Sequence, residues 1–194
     1  MPASRAASSV LRGLSLALVG LLTACPPSPP GPPFPPEPTP DDGGTVLIER
    51  DPACTLTGAL NIGLGESDGF EDFRPLPAGQ APFVHHGPQG GIHVILGASV
   101  ANPATNFPGL QVRFILDAQV CTANGCEQQV MGQYTTVVNQ DRYIALPGGA
   151  IAVTGFFIPL RDWPQNSTRR VITEVYDRCG RTGTTLTQVS AGTP

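Results

Sequence analysis

Apolar and polar residues alternate most regularly between Leu110 and Val120. Leu110, Val112, Phe114, Leu116, Ala118 and Val120 share one parity, and Gln111, Arg113, Asp117 and Gln119 share the other. A period of two sends successive side chains to opposite faces of a strand, so this stretch predicts a strand with one dry and one wet face. Ile115 is the lone apolar residue on the wet side. A second alternation runs from Cys54 to Leu64, with Cys, Leu, Gly, Leu, Ile and Leu at the even positions and Thr, Thr, Ala, Asn and Gly at the odd ones. Shorter β-branched or apolar runs near 81–86, 92–98, 129–138, 141–146, 150–160, 170–178 and 183–189 are separated by clusters of Gly, Pro, Asn and Asp. That punctuation marks strand ends and turns. No stretch repeats at i, i+3, i+4 and i+7, the spacing an amphipathic helix needs.

Nine short strands at this spacing predict an all-β domain over 45–194, built as a two-sheet antiparallel sandwich rather than a closed barrel. A segment of this length buries about two-thirds of its unfolded surface around one core. The closing stretch Glu174-Val-Tyr-Asp-Arg-Cys-Gly-Arg181 resembles the last strands of bacterial immunoglobulin-like domains, in which Val, Asp and Gly recur at such intervals. The resemblance spans barely twenty residues and implies an Ig-like sandwich. The Cys, Trp, Cys arrangement of antibody domains is missing, because the single tryptophan, Trp163, falls in an expected loop. The sequence therefore supports the sandwich architecture and no particular subfamily of it.

The N-terminus departs from this pattern. Arg5 and Arg12 precede an apolar run, Gly13 to Leu22, that is too short to span a bilayer and reads as an export signal. Leu22-Thr23-Ala24-Cys25 follows, and it resembles the lipobox of bacterial lipoproteins, with leucine at −3 and small residues up to the cysteine. The resemblance implies that residues 1–24 are a signal peptide cleaved before Cys25. It further implies that the Cys25 thiol is diacylglyceryl-modified and the new amine acylated. Several acyl chains on one residue hold a protein stably where a single chain is marginal. In the family an aspartate after the cysteine retains the protein at the inner membrane; Pro26 stands there instead, which points to the outer membrane, periplasmic or surface face. The rival reading is an ordinary signal peptide with an incidental cysteine.

Residues 25–44 form the stalk, and its stretch from Pro26 to Gly44 holds ten of the 22 prolines. Such density favours extended polyproline II at about 3.1 Å per residue, so Pro26 to Pro40 spans roughly 40 Å as a semi-rigid spacer. Recognition by a proline-binding domain is the alternative use of the same composition.

Charge narrows the partners. The formal balance is −4 and every one of the eleven cations is arginine. Loss of Arg5 and Arg12 with the signal leaves nine arginines against fifteen carboxylates, or −6. With no cationic run longer than Arg169-Arg170, nucleic acid is not an expected partner. The absence of lysine removes Schiff-base chemistry.

Four cysteines remain beyond Cys25, an even number for an oxidising compartment. Cys54 lies on the inward parity of its strand, and Cys179 shares parity with Val171, Thr173 and Val175, so the two are expected to meet in the interior. Cys121 falls on the outward parity, and the turn Thr122-Ala-Asn-Gly125 brings Cys126 opposite it. The expected bridges are 54 to 179 and 121 to 126. A four-cysteine zinc site is the rival arrangement.

All three histidines lie in Phe83-Val-His-His-Gly-Pro-Gln-Gly-Gly-Ile-His93. A five-residue hairpin loop, Gly87 to Gly91, sets His86 opposite Ile92 and His85 opposite His93. Two imidazoles on one face suit copper or zinc if a third ligand joins them, with Asp or Glu from the 66–72 loop as its source. The plainer reading is polar strand residues beside a glycine-rich turn. Glu66-Ser-Asp-Gly-Phe-Glu-Asp72 holds four carboxylates but lacks the spacing of an EF-hand loop, so a solvated loop is favoured over calcium. Asn166-Ser-Thr168 matches a glycosylation sequon, a pattern without weight in a bacterial lipoprotein.

No Gly-x-Ser-x-Gly elbow, His-Glu-x-x-His pair or phosphate loop occurs, so no catalytic residue and no cofactor is expected. Two functions stand: a non-catalytic envelope module that binds a protein or glycan or contributes to structure, and a periplasmic protein binding metal through His85 and His93. An enzyme ranks third.

Overall fold

The computed structural model describes residues 48–68, 72–160 and 169–190. The signal peptide, Cys25, the proline-rich stalk, Glu71, Trp163 and the Asn166 sequon lie outside the described residues. Among the described residues ten strands alternate with turns: β1 (Ile62–Glu66), β2 (Arg74–Pro75), β3 (Val84–His86), β4 (Ile92–Val100), β5 (Leu110–Thr122), β6 (Gly125–Val138), β7 (Ile144–Ala145), β8 (Ile151–Leu160), β9 (Arg169–Asp177) and β10 (Thr182–Val189). One sheet runs β2-β1-β4-β8-β7, with β3 also beside β4, and the other runs β10-β9-β5-β6. Every pairing is antiparallel. The fold is a β-sandwich.

The core is the set of inward parities. Val94, Leu96, Ala98 and Val100 of β4 meet Val112, Phe114 and Leu116 of β5, with Val153, Phe156 and Ile158 of β8 and Val171 and Val175 of β9 filling the layer. Phe114 and Phe156 touch across the sheets, ring centroids 5.3 Å apart. Two irregularities shape the sandwich. Between β4 and β8 the register shifts at Gly97, where Thr154 and Gly155 oppose a single residue and Gly155 takes φ 78°. Between β5 and β6, Leu116 pairs Gly132 and Asp117 pairs Val130, so Met131 is an extra residue and turns inward. A bulge of this kind bends its strand, and here it brings β6 against β8. A Cβ at Gly132 would lie 2.6 Å from the Pro159 carbonyl oxygen, an approach that only glycine permits.

Two expectations are corrected. The alternation from Cys54 to Leu64 is not one strand: β1 begins at Ile62, Gly58 turns at φ 91°, and Leu56 is 45% exposed. Cys54, Leu60 and Leu64 are nonetheless buried, because the chain ahead of β1 is held by specific partners. The Leu60 amide donates to the Thr182 carbonyl and the Asn61 amide to Asn102 Oδ1. The second correction concerns Gln111 and Asp117, assigned to the wet face of β5 but both buried. Gln111 Oε1 accepts the Ile48 amide, and Asp117 accepts two hydrogen bonds from the Arg170 guanidinium at 2.9 and 2.5 Å. The misfit Ile115 stands on that same outer face beside Ile172, which pairs in turn with the exposed Leu186.

The described sulfurs form the two expected pairs. Cys54 and Cys179 lie within bonding distance, Cα atoms 5.1 Å apart, in a small buried cluster with Ala104 and Phe107. Cys121 and Cys126 face each other across β5 and β6, Cα atoms 4.0 Å apart. Among the described residues no helix is long and apolar enough to cross a membrane.

Candidate functional site

The β3–β4 hairpin carries the histidines. Its five-residue loop is closed by the Gly87 amide donating to the Gly91 carbonyl at 2.8 Å, and Gly90, at φ 83°, donates back to the Gly87 carbonyl. Glycine is needed at Gly90 because a side chain resists that left-handed region. The ladder pairs Val84 with Val94, His85 with His93 and His86 with Ile92. Val94 is fully buried, so His85 and His93 project from the opposite, solvent-facing side of the sheet.

The two imidazoles are stacked, centroids 5.1 Å apart and planes 8° from parallel. They belong to a longer row. Phe83 meets His85 edge-on at 4.6 Å, and His93 lies against Phe157 of β8 at 3.8 Å. Phe83 and Phe157 are 67% and 51% exposed, so four rings from three neighbouring chain segments stand on one open sheet face. Burial against these neighbours, and then the charges of His85 and His93's other neighbour His86, hold the His93 imidazole below the ordinary histidine range. Imidazole lone pairs lie in the ring plane. Two parallel stacked rings therefore aim their nitrogens side by side, and a shared metal ion requires them to tilt toward one another.

The described carboxylates of the 66–72 loop, Glu66, Asp68 and Asp72, are engaged elsewhere. Glu66 Oε2 accepts the Phe83 amide at 2.9 Å, which ties β1 to the start of β3. Arg74 pairs with Asp68 and, at 3.0 Å, with Asp72, while the Ser67 hydroxyl donates to Asp72 at 2.6 Å. That hydroxyl is the main cause holding the Asp72 carboxyl below its ordinary range. Among the described residues no group of three His, Cys, Asp or Glu side chains gathers as a metal cluster. The same ion pairs bear on the calcium alternative, since Arg74 already supplies the positive charge that Asp68 and Asp72 face.

Phe157 was not singled out from the sequence, yet Phe156-Phe157 in a strand obliges one ring to face outward. Phe83 shares the parity of His85, two residues on. Phe73 is a further outer-face ring: it covers Gly65 and Gly97, where an added Cβ would lie 2.2 and 3.2 Å from its carbons. A separate shallow cavity of about 210 Å³ is lined by Pro103, Thr105, Gln140, Tyr143, Ala145 and Ile151. The Tyr143 hydroxyl accepts the Gly109 amide at 2.9 Å, and burial pushes its phenol up.

No known protein family matches the chain, and no curated protein matches it. Among solved structures it is similar to DesR, a β-glucosidase from Streptomyces venezuelae in complex with D-glucose, at 12% identity, a TM-score of 0.28, and 67% and 15% coverage of this chain and that one. It is also similar to a DUF4466 family protein from Parabacteroides merdae, at 7% identity, a TM-score of 0.28, and 70% and 46% coverage. The sporulation control protein Spo0M from Bacillus subtilis gives 9% identity, a TM-score of 0.28, and 70% and 51% coverage. The chain thus spans about half or less of the length of each.

Proposed function

We propose that this chain is a cell-envelope lipoprotein, anchored through Cys25 at the outer membrane, whose β-sandwich is a non-catalytic module for binding a protein or glycan or for envelope structure. The anchor rests on Leu22-Thr-Ala-Cys25 behind its apolar run, and the stalk from Pro26 sets the domain off the lipid surface. The binding role rests on one observation: the row Phe83, His85, His93 and Phe157 stands on an open sheet face. Exposed aromatic rings grouped on a surface are the usual currency of recognition.

Labelled-lipid incorporation followed by membrane fractionation tests the anchor. The native chain takes up label and sediments with outer membrane, and Cys25→Ser does neither; undiminished labelling of the variant overturns the anchor. Co-sedimentation with purified cell-wall sacculi and with outer-membrane vesicles tests the module. Phe157→Ala is expected to reduce retention by whichever surface binds, and equal retention overturns the role of the ring row.

The cross-strand pairing of His85 with His93 specifically favours a second reading, a copper or zinc site completed by water or an outside ligand. Cu(II) titration followed by histidine NMR separates the two. On the metal reading His93→Ala weakens binding far more than His86→Ala, because only His93 belongs to the pair. Equal responses overturn it.

A further inference from the structure

We infer that Cys121–Cys126 is a site of reversible thiol–disulfide exchange with a dithiol, while Cys54–Cys179 is held out of reach of the same reagent. The observation is where the fold places each pair. Among the described residues, β9 pairs with β5 as far as Ala118, opposite Arg169, whereas β5 and β6 continue together to Thr122 and Gly125. Residues 119–128 are thus a two-stranded arm of β5 and β6 beyond the described β9 ladder. Every residue from Cys121 to Val130 is exposed, both cysteines included. Cys54 and Cys179, at 2% and 3% exposure, sit beneath Ala104 and Phe107.

Exchange needs a thiolate to approach a sulfur, so access decides which bridge reacts. At the arm, one thiolate of the dithiol bonds to one cysteine sulfur as the sulfur–sulfur bond breaks. The other cysteine leaves as a thiolate and takes up a proton. The second thiol of the reagent then displaces the first cysteine from the mixed disulfide. The reagent departs as a cyclic disulfide, and two electrons and two protons remain on Cys121 and Cys126.

The reduced arm keeps its shape because the sulfurs are not what builds it. The ladder pairs Gln119 with Gln128, Val120 with Glu127 and Thr122 with Gly125. The turn is closed by Thr122 Oγ1 accepting the Asn124 amide at 3.2 Å, with Gly125 at φ 132°. The register therefore holds the two thiols opposite each other, and reoxidation by a disulfide oxidant becomes an intramolecular closure. The bridge spans only five residues of separation against 125 for the buried pair, so its loss removes little loop constraint.

The test uses the oxidised mature chain, native and without denaturant. It is treated with dithiothreitol for increasing times, quenched by alkylation and read by peptide mapping. Cys121 and Cys126 are expected to be labelled at least about tenfold faster than Cys54 and Cys179, with amide NMR signals of β4, β8 and β9 unmoved. Removal of dithiothreitol and addition of oxidised glutathione restores the bridge. Labelling of both pairs at one rate, earlier labelling of the buried pair, or loss of the core signals on arm reduction each overturns the proposal.

Discussion

The imidazole of His93 lies between two rings, Phe157 of β8 at 3.8 Å and His85 of β3 at 5.1 Å. Strand order makes this arrangement, because β4 has β3 on one side and β8 on the other. A histidine packed between rings on a sheet face is partly withdrawn from water, and a second imidazole beside it makes a proton harder to accept.

His93 makes stability depend on pH in a definite direction. Burial first, and then His85 and His86, lower its proton affinity below the ordinary value of 6.5. The unfolded chain therefore binds this proton more readily than the folded one. The His93 contribution is fully present above about pH 6.5 and is lost as pH falls from there through the lowered folded value. The urea midpoint of the domain is expected to drop between about pH 7.5 and about pH 5.5, and His93→Gln to flatten that drop. An identical slope in the variant would show that other groups carry it.

The two cysteine pairs differ in what they stabilise. Non-reducing peptide mapping is expected to return 54 with 179 and 121 with 126, and a peptide joining Cys54 to Cys121 would contradict the observed faces. By loop-closure entropy, Cys54→Ser/Cys179→Ser costs about 4 to 5 kcal/mol, and Cys121→Ser/Cys126→Ser about 2 kcal/mol. Denaturant midpoints of the two double variants check the order.

Asp177 organises the β9–β10 turn from a buried position. Its Oδ1 accepts the Cys179 and Arg181 amides at 3.0 and 2.9 Å, and its Oδ2 accepts Arg181 Nε at 2.8 Å. Asp177→Ala strands two amides and leaves the buried Arg181 guanidinium without its carboxylate, held only through the Asn102 carbonyl at 3.0 Å. A loss of about 3 to 5 kcal/mol is expected, read from urea unfolding, and a loss below about 1 kcal/mol would mean that water replaces the carboxylate.

Gly132 lets the edge of one sheet touch the other. Its missing Cβ would meet a backbone carbonyl, which has no rotamer in which to move aside. Gly132→Ala is expected to destabilise by about 1 to 3 kcal/mol and to shift the amide signals of Pro159's neighbours in β8. Unchanged spectra would mean that β6 relaxes outward without cost.

Period-two alternation along β5 was enough to name the inward residues Val112, Phe114, Leu116 and Ala118, since a strand has only two faces. The Gly87–Gly91 loop likewise determined the register of the histidine hairpin, because loop length and pairing are locked together over a few residues. The lipobox reading is a property of local sequence and needs no fold. Three outcomes were settled only in three dimensions. The burial of Gln111 and Asp117 depends on Ile48 and Arg170, residues 63 and 53 positions away, which no periodicity encodes. The path from Cys54 to Asn61 alternates like a strand yet makes isolated hydrogen bonds, such as Leu60 to Thr182, in place of a ladder, and alternation measures faces rather than hydrogen bonds. The ring row owes Phe157 to the pairing of β8 with β4, a contact between segments more than sixty residues apart. Local chemistry decides which side of a strand is dry; which strands lie side by side, and so which side chains meet, is decided by the packing of the whole domain.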